Sequence, residues 1–269
     1  MAVAAAVVFG AILIVLASFQ TQLLLPTGAV AAPGPLPVGA SQVSLATADG
    51  HTLHGVHIAP TSNAATQRTL ILGFGGNAWN GADVAGYLHQ LYPEVDVVVF
   101  HYRGYRPSTG SPSAEALLAD APLVLDFAVD LVKPKRTIAV GFSIGSGVAA
   151  SLAGHRRIDG LILVTPFDSL KAAASGLYPW LPIGMFFEHE LDTAAFLKGA
   201  QLPVALLAAE YDSLIVPART AALRRQVPNL VFDRTISDAG HNDIYQRSEF
   251  QDGMREALDA IGTARKQRD

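Results

Sequence analysis

The rhythm of apolar positions divides the chain into three stretches. From Ala2 to Phe19 every residue is apolar except Gly10 and Ser18, and no charged side chain occurs before Asp49. At roughly 1.5 Å of helical rise per residue, about 20 residues cross a hydrocarbon layer about 30 Å thick, so this block reaches spanning length once Leu23 to Leu25 are counted. Residues 1–25 are therefore expected to be an N-terminal transmembrane anchor or signal segment. Length favours an uncleaved anchor, whereas Ala29-Val30-Ala31 has the A-x-A form of a signal cleavage site. The first Lys or Arg is Arg68, so no flanking charge sets an orientation. Residues 26–41, rich in Pro, Gly and Ala, are expected to be a flexible tether.

Beyond the tether, short apolar runs alternate with segments of helical period. The runs predict strands over 42–47, 51–59, 69–74, 96–102, 136–142, 160–165, 203–209 and 230–236. The first two carry polar alternation and flank Ala48-Asp49-Gly50, which predicts an antiparallel hairpin at a sheet edge. Later runs, such as Val97-Val98-Val99-Phe100 and Leu161-Ile162-Leu163-Val164, are continuous, as strands buried on both faces are. Helical patterns over 81–92, 113–132, 144–155, 217–227 and 244–265 supply the crossovers that parallel strands require. The expected fold is α/β: a mostly parallel twisted sheet with helices on both faces and an antiparallel N-terminal edge, occupying residues 42–269 as one domain. Ligands in such sheets bind beyond the carboxyl ends of the strands.

Half of the residues are hydrophobic and only 16% are charged, which excludes a disordered chain. A net charge of −4 with no basic stripe argues against a nucleic-acid partner. Cysteine is absent, so thiol nucleophiles, disulfides and thiolate metal sites are excluded together. No group of histidines and acids has ligand spacing, and neither a metal nor an organic cofactor is expected.

The strongest chemical signal lies at the end of the fifth run. Thr137-Ile138-Ala139-Val140 leads into Gly141-Phe142-Ser143-Ile144-Gly145, and a helical pattern begins at once. This is G-x-S-x-G between a strand and a helix, a turn so tight that only small residues fit two positions either side of the serine. Ser143 is the candidate nucleophile. A serine hydroxyl needs a base within hydrogen-bond reach. Of the eight histidines, His51, His54 and His57 lie in the first hairpin, while His89, His101, His155 and His189 sit where structural roles are expected. His241 follows the last strand in Ser237-Asp238-Ala239-Gly240-His241-Asn242-Asp243, where a loop can carry an imidazole over the elbow. Asp212 follows the strand Val204-Ala205-Leu206-Leu207-Ala208-Ala209 and is the candidate acid, with Glu210 and Asp168 as rivals. The candidate oxyanion donors are the backbone N–H groups of Ile144 and of Asn77, the latter in Gly73-Phe74-Gly75-Gly76-Asn77-Ala78.

Over residues 43–262 these motifs resemble the membrane-anchored α/β-hydrolase-domain serine hydrolases, a group that includes protein depalmitoylases and lysophospholipid lipases. The resemblance is carried by Asp49-Gly50, Gly76-Asn77-Ala78, Tyr102-Arg103-Gly104-Tyr105 with Ser111-Pro112-Ser113, the elbow, Thr165-Pro166-Phe167-Asp168-Ser169-Leu170, Tyr211-Asp212 with Val216-Pro217, and Gly240-His241-Asn242-Asp243. It implies an α/β-hydrolase fold, a Ser143–His241–Asp212 triad and an N-terminal membrane anchor. Two positions depart from the pattern. Gly75 stands where the family usually has histidine, and Tyr105-Arg106-Pro107-Ser108 replaces a Tyr-Gly-x-Ser sequence.

Residues 168–201 form a cap-like insertion whose Tyr178-Pro179-Trp180-Leu181-Pro182 and Met185-Phe186-Phe187 are the densest aromatic stretch of the chain. It reads either as core packed on the sheet edge or as a lid over an acyl pocket. The expected activity is hydrolysis of a carboxylic ester or thioester, with a small-molecule or lipid-like acyl substrate. A peptidase with the same residues, and a catalytically inactive binding module, are the alternatives.

Overall fold

A computed structural model describes residues 19–62, 68–177, 179 and 187–266. Residues 1–18 of the expected anchor or signal segment, 1–25, thus lie outside the described residues, as do most of the aromatic positions of the insertion. Among the described residues no helix is long and apolar enough to cross a membrane.

Eight strands form one sheet: β1 (Ala40–Ala46), β2 (Thr52–Ile58), β3 (Thr69–Phe74), β4 (Asp96–Phe100), β5 (Arg136–Phe142), β6 (Gly160–Val164), β7 (Val204–Ala209) and β8 (Leu230–Ile236). Their order is β1-β2-β4-β3-β5-β6-β7-β8. β2 pairs antiparallel with both β1 and β4, and every later pair is parallel. This matches the expected parallel sheet with its antiparallel edge. The runs without alternation are buried on both faces: every residue of β4, β6 and β7 is buried, whereas β1, the alternating edge strand, contains none.

Helices cover both faces. On one side α1 (Gly81–Leu91) and α7 (Ser248–Lys266) bury Val84, Leu88, Phe250, Met254 and Ile261 against Ile71, Val97, Ile138 and Ile162. On the other, α2 (Ala114–Val132), α3 (Ile144–His155) and α6 (Pro217–Arg224) cover Leu72, Val98, Ala139 and Leu206. Short helices α4 (Leu170–Leu177) and α5 (Thr193–Leu197) belong to the insertion. Side-chain caps define several starts: Asn80 accepts from the Asp83 N–H, Ser113 from Ala116 and Asp192 from Ala195. The expected helix over 244–265 is divided, with a 3-10 turn at Ile244–Gln246 before α7.

The end of the expected anchor or signal segment, residues 19–25, and residues 26–41, expected to be a loose tether, both lie along the domain instead. Residues 19–24 are helical, and Leu25 is buried in the core. Thr21 Oγ1 is hydrogen-bonded to His189 Nε2 at 2.7 Å, and the Glu188 N–H donates to Gln20 Oε1. Further on, the Gly34 N–H donates to Asp83 Oδ1, and Val30 and Leu36 pack on opposite core clusters. Backbone and side-chain partners on α1 and the insertion hold these residues, which composition alone cannot reveal.

Because β3 and β4 progress one way across the sheet and β5 to β8 the other, the crossover direction reverses between β3 and β5. The loops leaving these two strands diverge to opposite faces and open a crevice at their carboxyl ends.

Candidate active site

The elbow is spatially demanding. A Cβ on Gly141 would lie 2.3 Å from the Gly145 carbonyl oxygen, and one on Gly145 would lie 2.2 Å from that of Phe74. Both neighbours are backbone, so neither position admits a side chain without moving the chain. Between them Ser143 adopts φ 52° and ψ −118°, a conformation that costs an L-residue about 1–3 kcal/mol. Surrounding bonds enforce it: the Ser143 N–H donates to Val164 O, while the Ser146 N–H and hydroxyl both donate to Ser143 O.

Three strand ends meet here. Ser143 Oγ is 2.9 Å from His241 Nε2, and His241 Nδ1 is 2.7 Å from Asp212 Oδ2. His241 and Asp212 are buried. The second carboxylate oxygen of Asp212 accepts the N–H groups of Leu214 at 2.9 Å and Ile215 at 2.7 Å. An ionised carboxylate suits this set of donors, and with Oδ1 taken up by the backbone Oδ2 is left to the imidazole. The loops carrying the two residues are joined as well, since the Tyr211 N–H donates to Ala239 O and the Asp238 N–H to Glu210 Oε2. Glu210, one rival acid, thus holds the histidine loop, while the ring's hydrogen bonds go to Asp212 and Ser143. Asp168, the other, pairs with Arg219 at 3.4 Å. The remaining histidines stay apart: His57 bonds Asp96, His155 bonds Ser151 O, and His101 Nδ1 accepts from the Gly81 N–H.

The loop after β3 reaches Ser143 from the other side. A Cβ on Gly76 would stand 3.8 Å from the Ser143 Cβ, so the glycine backbone borders the serine. The Gly76 carbonyl accepts from Trp79 N–H in a turn, and the N–H groups of Asn77 and Ile144 have no hydrogen-bond partner among the described residues. Behind this loop Tyr102 and Tyr105 donate hydroxyls to the carbonyls of Gly75 and Asn77. Those two contacts, like the backbone donors to Asp212, were not anticipated from sequence; the recurrence of tyrosine in Tyr102-Arg103-Gly104-Tyr105 was the available signal. Burial raises the pKa of Tyr102, Tyr105 and Tyr245, so all three remain neutral phenols.

Comparison with known proteins agrees with this fold. Residues 70–201 match the family model described as alpha/beta hydrolase fold. The uncharacterized protein Rv2307c of Mycobacterium tuberculosis is 32% identical over 241 residues, spanning 85% of this chain and 82% of that protein. The lysophosphatidylserine lipase ABHD12 of Danio rerio is 31% identical over 169 residues, 54% of this chain and 44% of its own length. Among solved structures, a Pyrococcus furiosus esterase superposes with a TM-score of 0.69 at 19% identity, covering 85% of this chain and 94% of the esterase. With a buried parallel sheet, a strained serine after β5 and relatives that extend across most of its length, the chain belongs to the α/β-hydrolase-domain proteins.

Proposed function

We propose that this chain is a serine hydrolase that cleaves carboxylic ester or thioester bonds through an acyl-enzyme, and that a lipid-like acyl group is its substrate. The observation that carries the reading is the unbroken hydrogen-bond path from Ser143 Oγ through His241 to Asp212. In this reading Asp212 accepts the Nδ1–H of His241, which leaves Nε2 unprotonated and facing the serine hydroxyl. His241 takes the hydroxyl proton as Oγ attacks the acyl carbon, then returns it to the leaving alcohol or thiol. The same base deprotonates a water molecule that cleaves the acyl-enzyme and releases the acid. Negative charge on the tetrahedral carbonyl oxygen is met by the N–H groups of Ile144 and Asn77, with the N-terminus of α3 adding its dipole.

Two features support a lipid-like substrate. Tyr211, Leu214 and Val216, on the loop that carries Asp212, are exposed apolar side chains at the carboxyl edge of the sheet. The relative from Danio rerio is named a lysophosphatidylserine lipase. The apolar block Ala2 to Phe19 further supports attachment to a membrane by a single N-terminal segment.

A fluorophosphonate probe tests the central reading. Wild type should label and Ser143→Ala should not, with both melting at similar temperature; a folded wild type that resists the probe and cleaves no ester of a short-to-long acyl panel refutes it. Equal rates across the panel in the full-length protein would refute the lipid-like substrate alone.

A further inference from the structure

The loop beside Ser143 is held on every peptide. Three consecutive carbonyls point into protein: Gly75 O accepts from the Tyr102 hydroxyl at 2.7 Å, Gly76 O from the Trp79 N–H at 3.3 Å, and Asn77 O from the Tyr105 hydroxyl. In a trans peptide the N–H points opposite to the C=O of the same plane. Each bond therefore turns one N–H away from its carbonyl's partner, and those of Gly76, Asn77 and Ala78 have no hydrogen-bond partner among the described residues. These residues are partly or fully exposed at the serine.

The two phenols are themselves fixed. Their rings meet edge to face at 5.6 Å and 74°, and the Tyr105 N–H donates to Tyr102 O at 2.8 Å. Gly104 between them has φ 78°, and a Cβ there would strike Pro112 Cδ at 2.7 Å; this tight turn folds the second tyrosine back beside the first. Arg103, on the same turn, is buried and bridges Asp120 and Asp49. Burial keeps both hydroxyls protonated, so they are permanent donors.

We infer that Tyr102 and Tyr105 are positioning residues for the oxyanion hole: their hydroxyls clamp the carbonyls of Gly75 and Asn77, fixing the peptide planes that carry the Gly76 and Ala78 N–H groups on either side of Asn77, whose own N–H is turned by the Trp79 bond, and so hold the loop with its N–H groups toward the developing charge. The inference rests on the proposed serine-hydrolase reading.

The test compares Tyr102→Phe and Tyr105→Phe with wild type on a p-nitrophenyl ester and on its thionoester, whose sulfur accepts hydrogen bonds from N–H groups poorly. Rates are divided by the active sites titrated with fluorophosphonate, so a partly unfolded preparation does not distort them. Each variant should lose about 10- to 100-fold in kcat on the ester with KM within twofold, in keeping with the size of oxyanion effects. The ester-to-thionoester rate ratio should fall by a similar factor. A ratio equal to that of wild type in both variants, whether or not kcat falls, overturns the clamp, because a purely structural role would slow both substrates alike. Wild type that neither labels nor cleaves the ester defeats instead the serine-hydrolase reading on which the clamp stands.

Discussion

Gly145→Ala separates the space at the elbow from glycine's backbone freedom. Gly145 does not have a positive φ, so alanine meets no conformational barrier there; what it meets is the Phe74 carbonyl oxygen at 2.2 Å and the Gly75 carbonyl oxygen at 2.6 Å. To restore a C···O contact of about 3.3 Å the end of β3 must retreat by about 1 Å. Such overpacking costs about 1–3 kcal/mol, which lowers the melting temperature by about 3–10 °C in a domain of this size. Since Phe74 and Gly75 lead directly into Gly76 and Asn77, the retreat also shifts the proposed oxyanion donors, and a displacement of about 1 Å should reduce kcat about 100-fold. Gly86→Ala is the matched control. It lies in the middle of α1 with nothing within 4 Å of its added Cβ, so it should stabilise by about 1 kcal/mol and leave kcat unchanged. Circular-dichroism melts and p-nitrophenyl butyrate hydrolysis read both effects. Wild-type stability in Gly145→Ala would refute the packing argument; lowered stability with wild-type kcat would refute the link from the elbow to the oxyanion loop.

Three further outcomes follow from named contacts. Asp212→Asn should keep the fold and lower kcat about 10⁴-fold, because an amide can donate to Nδ1 and stabilise the wrong imidazole tautomer; a loss under tenfold, measured by ester hydrolysis, would contradict the assigned acid. His101 is held neutral by burial, with its pKa lowered from 6.5 to about 4, and its Nδ1 accepts from Gly81. On acidification the unfolded chain takes up this proton first, so stability falls as pH drops from 6.5 towards 4, by up to about 3 kcal/mol, and levels off below. His89 and His189, also lowered by burial, act in the same direction. Urea midpoints at pH 7 and 5 should converge in His101→Asn relative to wild type; an unchanged pH dependence would exclude His101 as a source. Arg103→Met should cost about 3–5 kcal/mol in urea unfolding, since it leaves the Asp120 carboxylate buried without its bidentate partner, and Arg103→Met with Asp120→Leu should recover most of that loss.

How much of this protein its sequence determines depends on the range of the interactions involved. The strands were legible because a strand buried on both faces must be apolar throughout, as β4, β6 and β7 are, and because β1 alternates where one face meets water. Ser143 was legible because its turn excludes side chains at 141 and 145, a local steric rule that leaves a mark on neighbouring letters. His241 and Asp212 were narrowed by chain order and strand ends, but the choice of Asp212 over Glu210 and Asp168 was made by the fold. Asp212 alone lies against the imidazole, while Glu210 turns to the Asp238 N–H and Asp168 to Arg219. The contacts of Gln20 and Thr21 with residues 188 and 189, about 168 positions away, and the clamp of Tyr102 and Tyr105 on the loop after β3 depended wholly on tertiary structure. Hydrogen bonds between segments distant in sequence impose no period and no spacing on the chain, so only the assembled sheet decides which donors and acceptors meet.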